Sequence, residues 1–269
     1  MREDVKPAAS GAEAVTTPTR QELNAELLAV PDLPEPPEAV EPPGFDEILS
    51  HALRHVKGKR GGDLVAVLLT GSAARRMLTA HSDLDLIAVV KGEADRDELI
   101  RVADRIVDIR YRGQRLMEEE LTYSPRLASL LRKARVLFEH EGVGAQLIER
   151  AAERFRQGPE RVALFEQIRL KTECLHLLGK AEDLQRKPAT AQYLLALFVD
   201  RYLEAFFRLR GLWPTAPADL IRFLSSRDPA IGGLVERFQL EPTVAGKLNL
   251  GRQLADLLFK DIPLPARID

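Results

Sequence analysis

The chain has 269 residues, with 41 acidic side chains against 39 basic ones and a formal charge of −2. That balance excludes a generally basic nucleic-acid coat and an acidic solvating protein. It also conceals an uneven distribution. Residues 1–44 hold nine acids and three bases, hence −6, which leaves +4 on the other 225. The single cysteine, Cys174, excludes an intrachain disulfide and fits a reducing compartment. The five histidines show no zinc-ligand spacing with it. The opening residues, MREDVKPAASGAEAVT, contain no apolar signal core. No apolar run reaches the ~18 residues needed to span a membrane. The expectation is a cytoplasmic, soluble protein.

Residues 1–44 carry eight of the 17 prolines and no aromatic residue. Such a stretch buries too little surface to offset its ordering entropy, so it reads as a disordered spacer arm with polyproline character. From Phe45, apolar residues at 45, 48, 49, 52, 53 and 56 follow helical spacing, with a turn expected over 57–62. The runs LVAVLLT (64–70) and LDLIAVV (84–90) read as buried strands. Between them a short helix is expected over 73–78. Residues 94–103 read as a helix, RIVDIRYR (105–112) as an alternating strand, and 127–134 as a helix before the apolar segment RVLF. Beyond about residue 144 only helical patterns occur. One is expected over 160–179 with a stripe at Val162, Phe165, Ile168, Thr172 and Leu175. Another covers 190–209 with Leu194, Phe198, Tyr202, Ala205 and Leu209, closed by Gly211. The last is expected over 244–260. The organisation is an arm (1–44), an α/β domain with a small mixed sheet (45–143), and an all-α helical bundle domain (144–269).

Chemistry concentrates at residues 71–85. Gly71 and Ser72 sit where a buried strand turns into a helix. A residue without Cβ lets a phosphate approach the backbone, and unpaired N–H groups at a helix start favour anions. Arg75 lies one turn on, where a guanidinium could reach a phosphate oxygen. In Asp83-Leu84-Asp85 the two acids share one face of a strand, with Cα atoms roughly 7 Å apart. Two like charges so close call for a cation, and hard divalent ions take such oxygen ligands. Asp108 breaks a strand pattern in which Asp is disfavoured. If its strand lies beside 84–90, it completes a three-carboxylate site able to hold two ions about 4 Å apart. The alternative is a simple pair with Arg110.

The pattern Gly71-Ser72, ten residues, then Asp83-Leu84-Asp85 resembles the nucleotidyltransferase superfamily that includes DNA polymerase β, in particular its small bacterial members. The resemblance covers roughly 45–140. It implies a mixed sheet with helices on one side. It also implies Mg²⁺-dependent transfer of a nucleoside monophosphate from an NTP such as ATP to a hydroxyl of a small molecule or protein. Under it Asp83, Asp85 and Asp108 are the metal and catalytic residues, with two Mg²⁺ ions, and Gly71, Ser72, Arg75 and Ser82 contact the nucleotide. A rival expectation is an antitoxin-like interaction module that binds a helical partner. The +4 body is too weakly basic to argue for nucleic acid, and a homodimer or protein partner stays open.

Weaker signals are given structural readings. Arg169 and His176 loosely resemble the Arg and His of HEPN ribonucleases, but Leu170 departs from that pattern, and His176 is read as a partly buried structural residue. Trp213 is read as a packing anchor and Cys174 as core.

Overall fold

The computed structural model describes residues 44–79, 81–124 and 126–265, all within one compact unit spanning 33–269. The acidic arm, Gly44 excepted, lies outside them. Helix α1 (Phe45–Arg60) buries Phe45, Ile48, Leu49, Ala52 and Val56, the expected stripe. It runs through the expected turn because Gly58 faces solvent, while Lys57, Lys59 and Arg60 favour the negative end of the helix dipole.

Five strands form one mixed sheet. In chain order they are β1 (Leu64–Thr70), β2 (Leu84–Val90), β3 (Asp95–Val102), β4 (Arg105–Gly113) and β5 (Arg135–Glu139). The spatial order is β3-β4-β2-β1-β5. Only β2 and β4 run parallel; the other neighbours are antiparallel. The two runs read as buried strands are β1 and β2. Every residue of β1 is buried, and Asp85 alone interrupts the burial of β2.

Both faces of the sheet are covered, which corrects the expectation of helices on one side. Val67, Leu69, Leu84, Leu86, Val107 and Ile109 pack on α1. Ala66, Leu68, Ile87 and Val89 pack on α3 (Gln114–Tyr123), α4 (Leu127–Leu131) and α5 (Val143–Gln157) through Met117, Leu131, Leu147 and Ala151. Helix α5, read as the start of the helical tail, therefore packs on the sheet.

The helix expected over 94–103 is strand β3. Its Leu99 is 71% exposed. A tight turn at Ala103, with φ 51°, folds this segment back along β4. Ion pairs decide the pairing: Arg112 holds Asp95 and Asp97, and Lys59 and His55 of α1 hold Glu98. The charges also guard this edge against further strand addition. Helix α3 had no counterpart in the sequence reading, and RVLF forms most of β5.

The remaining helices are α6 (Leu164–Asp183), α7 (Pro188–Leu209), α8 (Leu220–Arg227), α9 (Pro229–Leu240) and α10 (Val244–Phe259). They share a core of Leu170, Cys174, Leu178, Phe198, Tyr202, Phe238 and Phe259 among others. Of the stripe expected on α6, Val162 and Ile168 pack against this core at its margin, but the buried face lies about half a turn away. Phe165 is 77% exposed, and Leu170, Cys174, Leu178 and Ala181 face the core instead. The α7 reading holds: Phe198, Tyr202 and Ala205 are buried. Gly211, at φ 62°, ends α7 in a Schellman motif, with Leu212 N donating to Phe207 O (2.8 Å) and Gly211 N to Arg208 O (3.3 Å). Trp213 joins this group to α5, donating to Phe155 O (2.8 Å) and stacking on the Phe155 ring.

Candidate active site

The sheet register brings the predicted carboxylates together. Thr70 on β1 pairs with Asp85 on β2, which pairs with Asp108 on β4. Residues in register share a face, so Asp85 and Asp108 project side by side. The strands adopt this alignment because Leu84, Leu86, Val107 and Ile109 are all buried on the opposite face; a one-residue slip of either strand would turn its pair to the carboxylate side. Asp83 precedes β2 and is exposed.

The electrostatics are those of crowded acids. Burial, then the Asp83 charge, push the Asp85 carboxyl up from its ordinary value; Arg110 opposes this and Asp108 adds to it. Arg110 donates to Asp108 Oδ2 at 3.1 Å and stands 4.0 Å from Asp85. The pair with Arg110, weighed as the alternative for Asp108, is thus formed. Among the described residues no group of three or more His, Cys, Asp and Glu side chains is arranged to hold a metal ion. A single hard cation held by Asp83 and Asp85 would offset the burial and repulsion that raise Asp85.

The Gly71–Ser72 turn stands over the same row. Helix α2 (Gly71–Ala74) is a single turn, shorter than the helix expected over 73–78, and Arg76 ends it at φ 56°. Gly71 itself has φ 66°, and a Cβ there would overlap Asp85 Oδ2. Glycine is therefore required by the carboxylate beneath it. Thr70 is buried and its hydroxyl donates to Asp85 O at 3.3 Å, tying turn to strand.

The other predicted nucleotide contacts have partners within the protein. Arg75 donates to Asp219 Oδ2 at 2.8 Å and, more weakly, to Gly71 O at 3.4 Å. Ser82 Oγ accepts from Thr79 N at 2.9 Å, while Arg105 donates to both Thr79 O and Ser82 O. Ser82 thus closes the loop that delivers Asp83. Asp219, the residue that meets Arg75, had no sequence signal: it is a lone acid in a proline-rich turn, 144 positions away. Arg169 pairs with Glu173, and His176 is exposed, not partly buried as expected. Cys174 is buried, which pushes its thiol up to about 12 and leaves it an inert core group. No helix among the described residues is long and apolar enough to cross a membrane.

No family model and no curated protein matches the chain. It is similar to the crystal structure of a nucleotidyltransferase-like protein from Exiguobacterium sibiricum 255-15. The identity is 14% and the TM-score 0.47, over 79% of this chain and 74% of that one. A likeness of this degree carries no inference about chemistry.

Proposed function

We propose that the chain transfers a nucleoside monophosphate from a nucleoside triphosphate to a hydroxyl acceptor on a small molecule or protein. One observation carries this reading: Asp85 and Asp108 stand side by side with Asp85 beneath a Gly-Ser turn, and burial, then the Asp83 charge, raise the Asp85 carboxyl. Structural acids are normally paired to keep them ionised at low pH. A carboxylate raised by burial and then by neighbouring acids is what a site whose charge is met by a ligand would show.

In the proposed reaction, Asp83 and Asp85 hold one Mg²⁺, and the backbone at Gly71 and Ser72 faces the triphosphate. Bound Mg²⁺ neutralises charge developing on the phosphoryl oxygens. The acceptor oxygen bonds to the α-phosphorus, the bond from that phosphorus to the bridging oxygen breaks, and pyrophosphate leaves. Asp108, oriented by Arg110, takes the hydroxyl proton. A second ion would require Asp108 to leave Arg110.

The test is incubation with labelled ATP and Mg²⁺, scanning hydroxyl acceptors, with Asp83→Ala/Asp85→Ala alongside. Label transfer and ATP binding are expected for the wild type only. Equal binding and turnover in both proteins would refute the reading.

A further inference from the structure

Asp219 and Thr70 are the two buried polar or charged side chains among the described residues, at 5% and 1% exposure. Both converge on the Gly71 turn, Thr70 from within the sheet and Asp219 from the 3-10 turn (Pro217–Asp219) that opens α8. A buried carboxylate is tolerated only when paired and hydrogen-bonded. Asp219 is both, with Arg75 on one oxygen and Arg222 on the other at 2.7 Å. Burial alone would raise its pKa; the hydrogen bond and charge of Arg75, and then Arg222, hold it below the ordinary value.

The turn needs such a hold. Four helical residues cannot stabilise themselves. The turn begins at a left-handed residue, Gly71, and is followed by another, Arg76, and a non-glycine residue in that conformation is strained. Arg75 lies between the two. Its guanidinium spans from Gly71 O to Asp219, so the backbone of the turn is fastened to the C-terminal helices.

We propose that Asp219 is a positioning residue that holds the Gly71–Ser72 turn through Arg75, and so lets the C-terminal helices set the affinity of the turn for a nucleoside triphosphate. This rests on the proposed function for its ligand, but not for the hold itself. If Arg75 were instead a direct phosphate ligand, removing the Asp219 charge would free it and tighten binding. If it is a strut, the same change loosens the turn and weakens binding.

The experiment uses the full chain with Asp219→Asn, an isosteric change, together with Arg75→Met and the double variant. Folding is checked by circular dichroism, and Asp219→Glu serves as the conservative rescue. Two quantities are read. One is hydrogen exchange at the amides of Arg75, Arg76 and Met77, which donate to Ser72 O and Ala73 O. The other is the dissociation constant for ATP with Mg²⁺. Exchange is expected to quicken and ATP binding to weaken, each about tenfold. The double variant should be no worse than either single one, and Asp219→Glu should recover part of the loss. Unchanged exchange in Asp219→Asn overturns the proposal, as does unchanged or tighter ATP binding in that variant. A wild type that binds no ATP would sink the proposed function, and the exchange data would then decide the strut alone.

Discussion

The carboxylate of Asp85 fills the space where a side chain at residue 71 would stand. An ideal Cβ on Gly71 overlaps Asp85 Oδ2 and lies 3.2 Å from Cγ. The glycine of the turn and the acid of the strand are thus one packing unit, coupled across the β1–β2 ladder.

Gly71→Ala therefore carries two penalties. A φ of 66° costs an L-residue about 1–2 kcal/mol. The methyl also displaces Asp85 from its row. Urea denaturation should show a loss of about 1–3 kcal/mol. Nucleotide transfer should fall by more than that loss of stability explains, because the displaced group is the proposed metal ligand.

Asp85→Asn should act in opposite directions on stability and activity. It removes a charge disfavoured by burial and by Asp83 and Asp108. The metal-free protein should gain about 1 kcal/mol, read as a higher Tm at neutral pH. Mg²⁺-dependent turnover should be lost. A lower Tm would mean that Asp85 is stabilised by its surroundings, contrary to its raised carboxyl.

Glu98 ties the edge strand to α1 and gives the fold an acid limit. It accepts from Lys59 (2.6 Å) and Tyr111 (2.9 Å) and contacts His55 (3.3 Å). The Lys59 hydrogen bond leads in lowering its carboxyl from 4.5 to about 2. A depressed carboxyl contributes stability above its unfolded value and loses it as pH falls through the folded one. Glu98 should stabilise the protein fully above about pH 4.5 and progressively less towards pH 2. Glu98→Gln should lower Tm at pH 7 and flatten its fall across that window. Parallel Tm-against-pH curves for the two proteins would refute this.

Trp213→Phe isolates one hydrogen bond between α5 and the helices that follow. The ring stack on Phe155 survives, while the Phe155 carbonyl loses the indole donor and keeps only Gly158 N at 3.1 Å. The expected loss is about 1–2 kcal/mol. Trp213→Ala removes the ring as well and should lose about 3–5 kcal/mol. Chemical denaturation of both variants measures the difference.

The neighbouring acids were legible because their signals are local. Asp85 and Asp108 stand out as acids in apolar strand patterns, and burial of Leu84, Leu86, Val107 and Ile109 dictates their common face, whereas Asp83, expected on that face, precedes β2. The pairing of Asp108 with Arg110 was legible as an alternative, since i and i+2 on a strand are neighbours. The partner of Arg75 was not. A cation near a Gly-Ser turn suggests a phosphate, and nothing around residue 75 announces an acid 144 positions later.

The amino-acid sequence by itself determined where β1, β2 and α7 lie, because unbroken apolar runs and a clean helical stripe leave few ways to bury them. It also determined the spacing of the acids. Tertiary structure decided everything that depended on which surface met which. Residues 95–102 have helix-forming composition, yet they became β3 because β4 had an open edge and Arg112, Lys59 and His55 offered charges across it. Helix α6 turned Leu170 and Cys174 inward and left Phe165 outside, because α7 packs on that side. Arg75 found Asp219 only once the C-terminal helices had been brought to the sheet. Periodicity and propensity act over one or two turns, whereas burial and ion pairing are settled between segments far apart in the chain.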